Sequence, residues 1–318
     1  MTISSEDLAR FFKTHNSRFN KCLEPQMKCE QNAIRAHSIQ NARVIDLIAT
    51  KSHVIALAVK FSDAGPQIEF ESIRRNEVST FTGLCNEHDT SLFKPLDTKP
   101  FDINDREQLF LLAYRSVTRE LHVVMEGAAK IQSAYSSRVE RGIDPADDMS
   151  PAGIVATEHL LIAFLTYQYR AEYYDRPLLA ANYDAIEHDV IVLDNQPPRI
   201  AVSSLFSLDE IHHADGEIVR VVLNVLPVDQ SKTLAIFSYP KKDRQKAAPA
   251  LDRVLSTQGQ YQKYELSKLI LERIENFLIS PIHFESWGPT KTALIREMFV
   301  ETALNRSSVK EHQDLMLF

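Results

Sequence analysis

The sequence predicts an α+β protein in which helices and strands are gathered into blocks rather than alternating. Three observations lead there. Apolar residues recur at helical spacing over 104–139 and again over 151–174. Four β-rich runs follow between 188 and 238, joined by short turn-forming groups. All three cysteines, Cys22, Cys29 and Cys85, stand near the front of a 318-residue chain, which sets that part apart chemically.

In chain order, residues 3–14 read as a short amphipathic helix capped by Ser4 or Ser5, with Glu6 and Asp7 in its first turn. A polar stretch with Cys22, Pro25 and Cys29 follows, and 41–50 reads as a helical turn or two. Strands are expected at 53–60 and 67–74, around a turn at Asp63, Ala64, Gly65 and Pro66. Gly83, Leu84 and Cys85 lead into a helix that Pro95 is expected to end.

From 104 to 139, Leu109, Leu112, Ala113, Val117, Leu121 and Val124 mark one face of a long helix. After the loop RGIDPADDMSP, a second helix starts with Pro151 in its first turn, and the two form an antiparallel helical pair. Strands at 188–193, 198–206, 217–226 and 231–238, with short connections such as Asn195–Pro198 and Asp215–Gly216, predict an antiparallel four-stranded sheet. C-terminal helices are expected at 240–256, 261–279 and 288–305. This arrangement divides the chain into an N-terminal module, 1–100, and a helix-rich α+β domain with an antiparallel sheet, 101–318.

Composition narrows the function. A net charge of −7 argues against a protein that coats nucleic acid, and the small basic clusters at Arg74-Arg75 and Lys241, Lys242, Arg244 and Lys246 read as solvated surface. The N-terminus lacks a basic-then-apolar leader, and the apolar run at 160–169 falls short of the ~20 residues of a membrane span. A cytoplasmic protein with no membrane segment is expected. Three cysteines, an odd number, disfavour a disulfide framework. P-loop, dinucleotide-binding and nucleophile-elbow signatures are all missing from the sequence.

The remaining chemistry is at the front. Cys22 and Cys29 form C-x6-C, and Cys85 and His88 form C-x2-H at a turn into a helix. Three thiolates and an imidazole are the ligand set of a four-coordinate structural zinc. The helix N-terminus favours thiolate at Cys85. Zinc would supply stability that a two-stranded segment cannot generate alone. The competing reading is three unrelated buried thiols. His53 is the substitute ligand if Cys22 does not take part.

Cys22 and Cys29, then Arg35, Ala36, His37, Ser38 and Ile39, then strands, then Leu84, Cys85, Asn86, Glu87, His88, Asp89 and Lys94, together resemble the HNH (ββα-metal) endonucleases of the treble-clef class. The resemblance is confined to residues 20–95. It implies that His88 takes the place of the last zinc cysteine and Asp89 that of the catalytic-metal histidine. It also implies that His37 is the general base on a water nucleophile, with Mg2+ or Mn2+ on the scissile phosphate of DNA or RNA. By analogy it suggests a bacterial defence role. Two positions depart from the family: Ala36 replaces an acidic metal ligand, and Thr80 stands at the middle asparagine, with Asn76 and Asn86 nearby.

Other candidates read more simply. His212-His213 with Asp209 and Asp215 is a loop, and Glu158-His159 lacks a second histidine one turn on. Glu107, Arg115, Arg119 and Glu120 form a charged helix face, although Arg115 and Arg119 would also suit an anion. Tyr167, Tyr169, Tyr173 and Tyr174 read as core packing, with a protein contact as the second reading. Two functions follow: a zinc-stabilised binding module that holds a protein partner or a second copy of itself or senses a ligand, or an HNH-like metal-dependent nuclease.

Overall fold

The computed structural model describes residues 19–62, 65–147, 149–208, 218–305 and 310–318. The helix expected at 3–14, the tip of the first hairpin at Asp63-Ala64, and the group Asp209, His212, His213 and Asp215 lie outside the described residues.

The chain forms two compact units, and each is interleaved in sequence. Unit 1 takes Met1–Ala36, Phe81–Leu92 and Val117–Asn182, and unit 2 takes His37–Thr80, Phe93–Ser116 and Tyr183–Phe318. The division therefore does not fall at residue 100. The two-residue strands β1 (Ala36–His37) and β4 (Thr80–Phe81) stand where the chain passes from one unit to the other.

Unit 2 is built on one seven-stranded sheet, where four strands were expected. Its strands are β2 (His53–Ser62), β3 (Gly65–Arg74), β5 (Ile186–Asp194), β6 (Ile200–Ser207), β7 (Arg220–Pro227), β8 (Lys232–Pro240) and β9 (Phe277–Ile279). Their order is β3-β2-β9-β6-β7-β8-β5, and every neighbouring pair is antiparallel. The four expected strands are present as β5 to β8. The hairpin β2–β3 joins them through β9, which pairs Ile279 with Ile55 on one side and with Ile200 on the other. The hairpin thus belongs to the large sheet and not to the cysteine-bearing segments.

Both faces of the sheet are covered, so its central strands are apolar almost throughout. On one face Val221, Leu223, Val225 and Phe237 pack with Leu251, Leu266, Ile270 and Ile295 of the C-terminal helices. On the other, Ala201, Leu226, Ile236 and Leu278 pack with Val44, Ile45 and Ile48 of the turn after β1, and with Leu109. A sheet buried on both sides loses the apolar–polar alternation of a half-exposed one.

Unit 1 holds the cysteines and a helical pair. The long helix Arg106–Glu140 enters it at Val117. Its partner, Pro151–Arg170, is capped by Ser150, whose Oγ accepts from Gly153 N–H at 3.1 Å, and it runs on into a wider turn at Ala171–Asp175. Gln132 Nε2 donates to the Ala156 carbonyl at 2.9 Å, and the connecting loop is held by Tyr135 Oη on the Asp147 carbonyl and by an Arg138–Asp144 ion pair. No described helix is long and apolar enough to cross a membrane.

Candidate metal centre

Two stretches of chain that are distant in sequence form the centre, and both lie in unit 1. The first, 19–36, doubles back on itself: Ala33 N–H donates to Asn20 O, and Lys21 bridges Asn32. A tight turn at Glu24–Met27 forms the tip, with Met27 N–H on Glu24 O at 2.9 Å. Glu24 organises this loop. Its buried carboxylate accepts the backbone N–H of Gln26 at 2.8 Å, of Cys29 at 3.2 Å, and of Lys28. Burial alone would push its pKa up. The three N–H donors and the nearby His88 imidazole outweigh burial and hold the carboxyl below its ordinary value. The result is a short loop carrying Cys22 at its start and Cys29 at its end.

The second stretch is clamped to the first by two backbone bonds, Leu23 N–H to Gly83 O and Ile34 N–H to Leu84 O, both 2.7 Å. Gly83 is needed for its size. A Cβ there would stand 2.3 Å from the ring of the buried Phe81. Phe81 in turn packs on His122 of the long helix, and His122 Nε2 lies 2.8 Å from Thr82 Oγ1 and 3.0 Å from the Phe19 carbonyl. Cys85 precedes the helix Asn86–Thr98, whose first bond runs from Asp89 N–H to Cys85 O, so His88 sits in the first turn and faces back to the thiol.

The four side chains converge. Cys85 Sγ is 3.2 Å and Cys22 Sγ 3.5 Å from His88 Nδ1, and Cys29 Sγ is 3.9 Å from Cys85 Sγ. All four ligand atoms lie within 4.8 Å of one another, a group able to hold a metal ion. The thiols are free; a disulfide needs an S–S distance of about 2.05 Å. Cys22 and Cys85 are buried, and Cys29 and His88 are half-buried. Burial pushes the Cys22 thiol up to about 12, against the pull of backbone N–H groups. At Cys85, burial acts the same way but is outweighed by hydrogen bonds from His88, and the thiol lies below its ordinary value. A buried thiol held this high needs a cation beside it to ionise near neutral pH.

The other sequence-derived candidates fall elsewhere. His53 opens β2 in unit 2, with Nδ1 2.8 Å from the Lys51 carbonyl, and does not belong to the cluster. His37 belongs to unit 2, with Nε2 3.0 Å from the Arg75 carbonyl, and Asp89 belongs to unit 1. Among the described residues neither joins a group of three or more metal-binding side chains. His159 Nδ1 lies 2.8 Å from the Val155 carbonyl of its own helix. Arg115 pairs with Asp97, Arg119 with Glu120, and Glu107 accepts from Tyr183 Oη. Tyr169 and Tyr174 are buried, as core packing requires, whereas Tyr173 is half-buried and Tyr167 is exposed.

Sequence reasoning missed Glu24 and Arg170. Arg170 is fully buried, pairs with Asp175 at 3.2 Å, and reaches the Met27 sulfur of the cysteine loop at 3.8 Å. Pro25 directly after Glu24 was the one available signal of a carboxylate-organised turn. Fold and site together define an α+β protein with a Cys3His group positioned to hold a metal ion. Comparison with known families, with curated proteins and with solved structures returns no match.

Proposed function

We propose that this chain is a zinc-stabilised binding module that acts as a homo-oligomer in a reducing, cytoplasmic compartment. One observation carries the zinc. A tetrahedral zinc with thiolates at ~2.3 Å and imidazole at ~2.0 Å sets its ligands roughly 3.8 Å apart from sulfur to sulfur and roughly 3.6 Å apart from sulfur to nitrogen. The separations of 3.9, 3.5 and 3.2 Å fit that tetrahedron. Four protein ligands leave no open position, which marks a structural ion rather than a catalytic one.

The binding half rests on the helix Pro151–Arg170. It turns small residues inward, Gly153, Ala156, Ala163 and Thr166, and leaves Ile154, Val155, Leu160, Leu161, Ile162, Phe164 and Tyr167 exposed. These side chains present roughly 600 Å2 of apolar surface, at the upper end of what an ordinary monomer shows. A second copy fits that surface best. Isologous pairing sets part of this surface against the same part of a second copy. Net charge does not oppose it locally, since Glu158 is the only acidic residue in this helix.

Elemental analysis of the purified chain tests the zinc. We expect one zinc per chain, lost together with the ordered structure of unit 1 in Cys85→Ala. A chain free of metal with unit 1 intact refutes the reading. The nuclease reading gains no support from the positions of His37 and Asp89. Cleavage of plasmid DNA or RNA with Mg2+ or Mn2+, abolished by His37→Ala, would restore it.

A further inference from the structure

Unit 2 contains a cavity of about 410 Å3 that the metal centre does not use. The volume lies within the ~300–1,000 Å3 of small-molecule sites. Ile39, Leu47, Phe101, Leu112 and Val228 give it apolar walls, and the exposed Ala42 and Asp46 mark its rim.

Two buried polar side chains in its lining each keep one donor atom without a hydrogen-bond partner. Asn224 stands in β7 within the run Val221, Val222, Leu223, Asn224, Val225, Leu226, where every neighbour is apolar and buried. It is 2% exposed; its Oδ1 accepts from Ser116 Oγ at 3.0 Å, and its Nδ2 has no hydrogen-bond partner. An amide in a strand covered on both faces costs stability unless it is satisfied. Arg115 is 5% exposed, with its guanidinium 4.0 Å over the Phe93 ring and Nη2 shared between the two Asp97 oxygens at 3.0 and 3.1 Å. Its Nε, a donor, is also unpartnered.

The charges around the cavity do not cancel. Asp97 is paired with Arg115, and the rim carboxylate Asp46 is paired with Arg75. Arg43, also in the lining, donates to the Lys99 carbonyl and has no carboxylate partner among the described residues. One guanidinium is left over, and it favours an anion.

We propose that this cavity binds a small apolar molecule carrying a carboxylate, whose oxygens accept from the unpartnered donors of Arg115 and Asn224. The body of the ligand rests on the apolar walls, and Arg43 supplies the balancing charge at the rim. The polar floor is prepared in advance, because the Ser116 hydroxyl lies 2.9 Å from Ser203 Oγ and bonds Asn224.

Calorimetric titration of the full metal-loaded chain with 4-phenylbutyrate, and with 4-phenylbutanol as its uncharged counterpart, tests this. The carboxylate is expected to bind one per chain with a Kd of about 0.1 mM, and the alcohol at least tenfold more weakly. Ala42→Trp fills the cavity from its exposed rim without touching the core, and Asn224→Leu removes the unpartnered amide at similar volume. Each is expected to weaken carboxylate binding at least tenfold. Equal affinity for acid and alcohol, no binding of either, or unchanged affinity in Ala42→Trp overturns the proposal.

Discussion

Glu24 shows how much one side chain sets at the metal centre. Three backbone N–H groups of the Cys22–Cys29 loop end on its carboxylate. Groups that orient ligands in this way typically change metal affinity about 10- to 100-fold when removed. Glu24→Ala is expected to lower zinc affinity by about that factor in competition with a colorimetric chelator, while one zinc still binds at saturation. Glu24→Gln keeps one acceptor oxygen and should recover part of the loss. Wild-type affinity in both variants would mean the loop holds its shape without the carboxylate. The four converging side chains were legible in the sequence because thiols and an imidazole in two spaced pairs suit few roles besides metal binding. Glu24 was not, because a carboxylate that serves its own loop backbone leaves no spacing to recognise. Arg115 is of the same kind: it read as part of a charged helix face, and only the fold brings it to Asp97 over the Phe93 ring.

At the scale of elements, the long helices and the strands β5 to β8 were readable because their periods persist over many residues. β9 was not. Its three residues, Phe277 to Ile279, follow the helix Gly259–Arg273 and are too few to show a period of two, so they read as its last turn. That single misreading separated the hairpin from the sheet. Pro95 misled in another way. It sits inside the helix Asn86–Thr98, one turn from its end, and its carbonyl accepts from Gln108 Nε2 at 3.1 Å. The helix Pro151–Arg170 was recognised as an element but not for its orientation, because a sequence that is apolar on most sides does not reveal which side faces inward. Its large exposed side chains make a test available. Size-exclusion chromatography with light scattering, at tens of micromolar, is expected to show a dimer. Leu161→Glu places a charge on a side chain that is 54% exposed and should give a monomer with unchanged helix content by circular dichroism. A wild-type monomer, or a dimer that tolerates the glutamate, rules out this helix as the interface.

At the scale of the whole molecule, the two units are held by different forces, and acid tells them apart. Unit 1 combines a Cys3His group able to hold a metal with a helical pair, whereas unit 2 rests on the two-sided burial of its sheet. Unit 2 also holds two half-buried histidines in neutral form. Burial, with a smaller contribution from Arg106, pushes His188 down to about 3, and its Nδ1 lies 2.8 Å from Ser238 Oγ. Burial pushes His283 down to about 4, with Arg199 and Lys291 acting in the same direction against the Leu317 carbonyl. In the unfolded chain both titrate near 6.5. As pH falls through that value, the unfolded state takes up protons that the folded state refuses. Stability is therefore complete above about 6.5 and declines below it, until the folded histidines themselves titrate near 4 and 3. Each histidine that titrates only on unfolding contributes a slope of about 1.4 kcal/mol per pH unit, and the less deeply buried His283 gives the smaller share. The single tryptophan, Trp287, lies in unit 2 with its ring centroid 5.6 Å from that of His283, so its emission follows this unit and not the Cys3His group. Urea titrations read at Trp287 should show a midpoint that is flat from pH 8 to 7 and falls steadily from pH 6 to 4.5. His188→Gln should flatten that fall, because glutamine carries no proton to take up. A midpoint independent of pH across this window would mean that both imidazoles are already charged inside the fold.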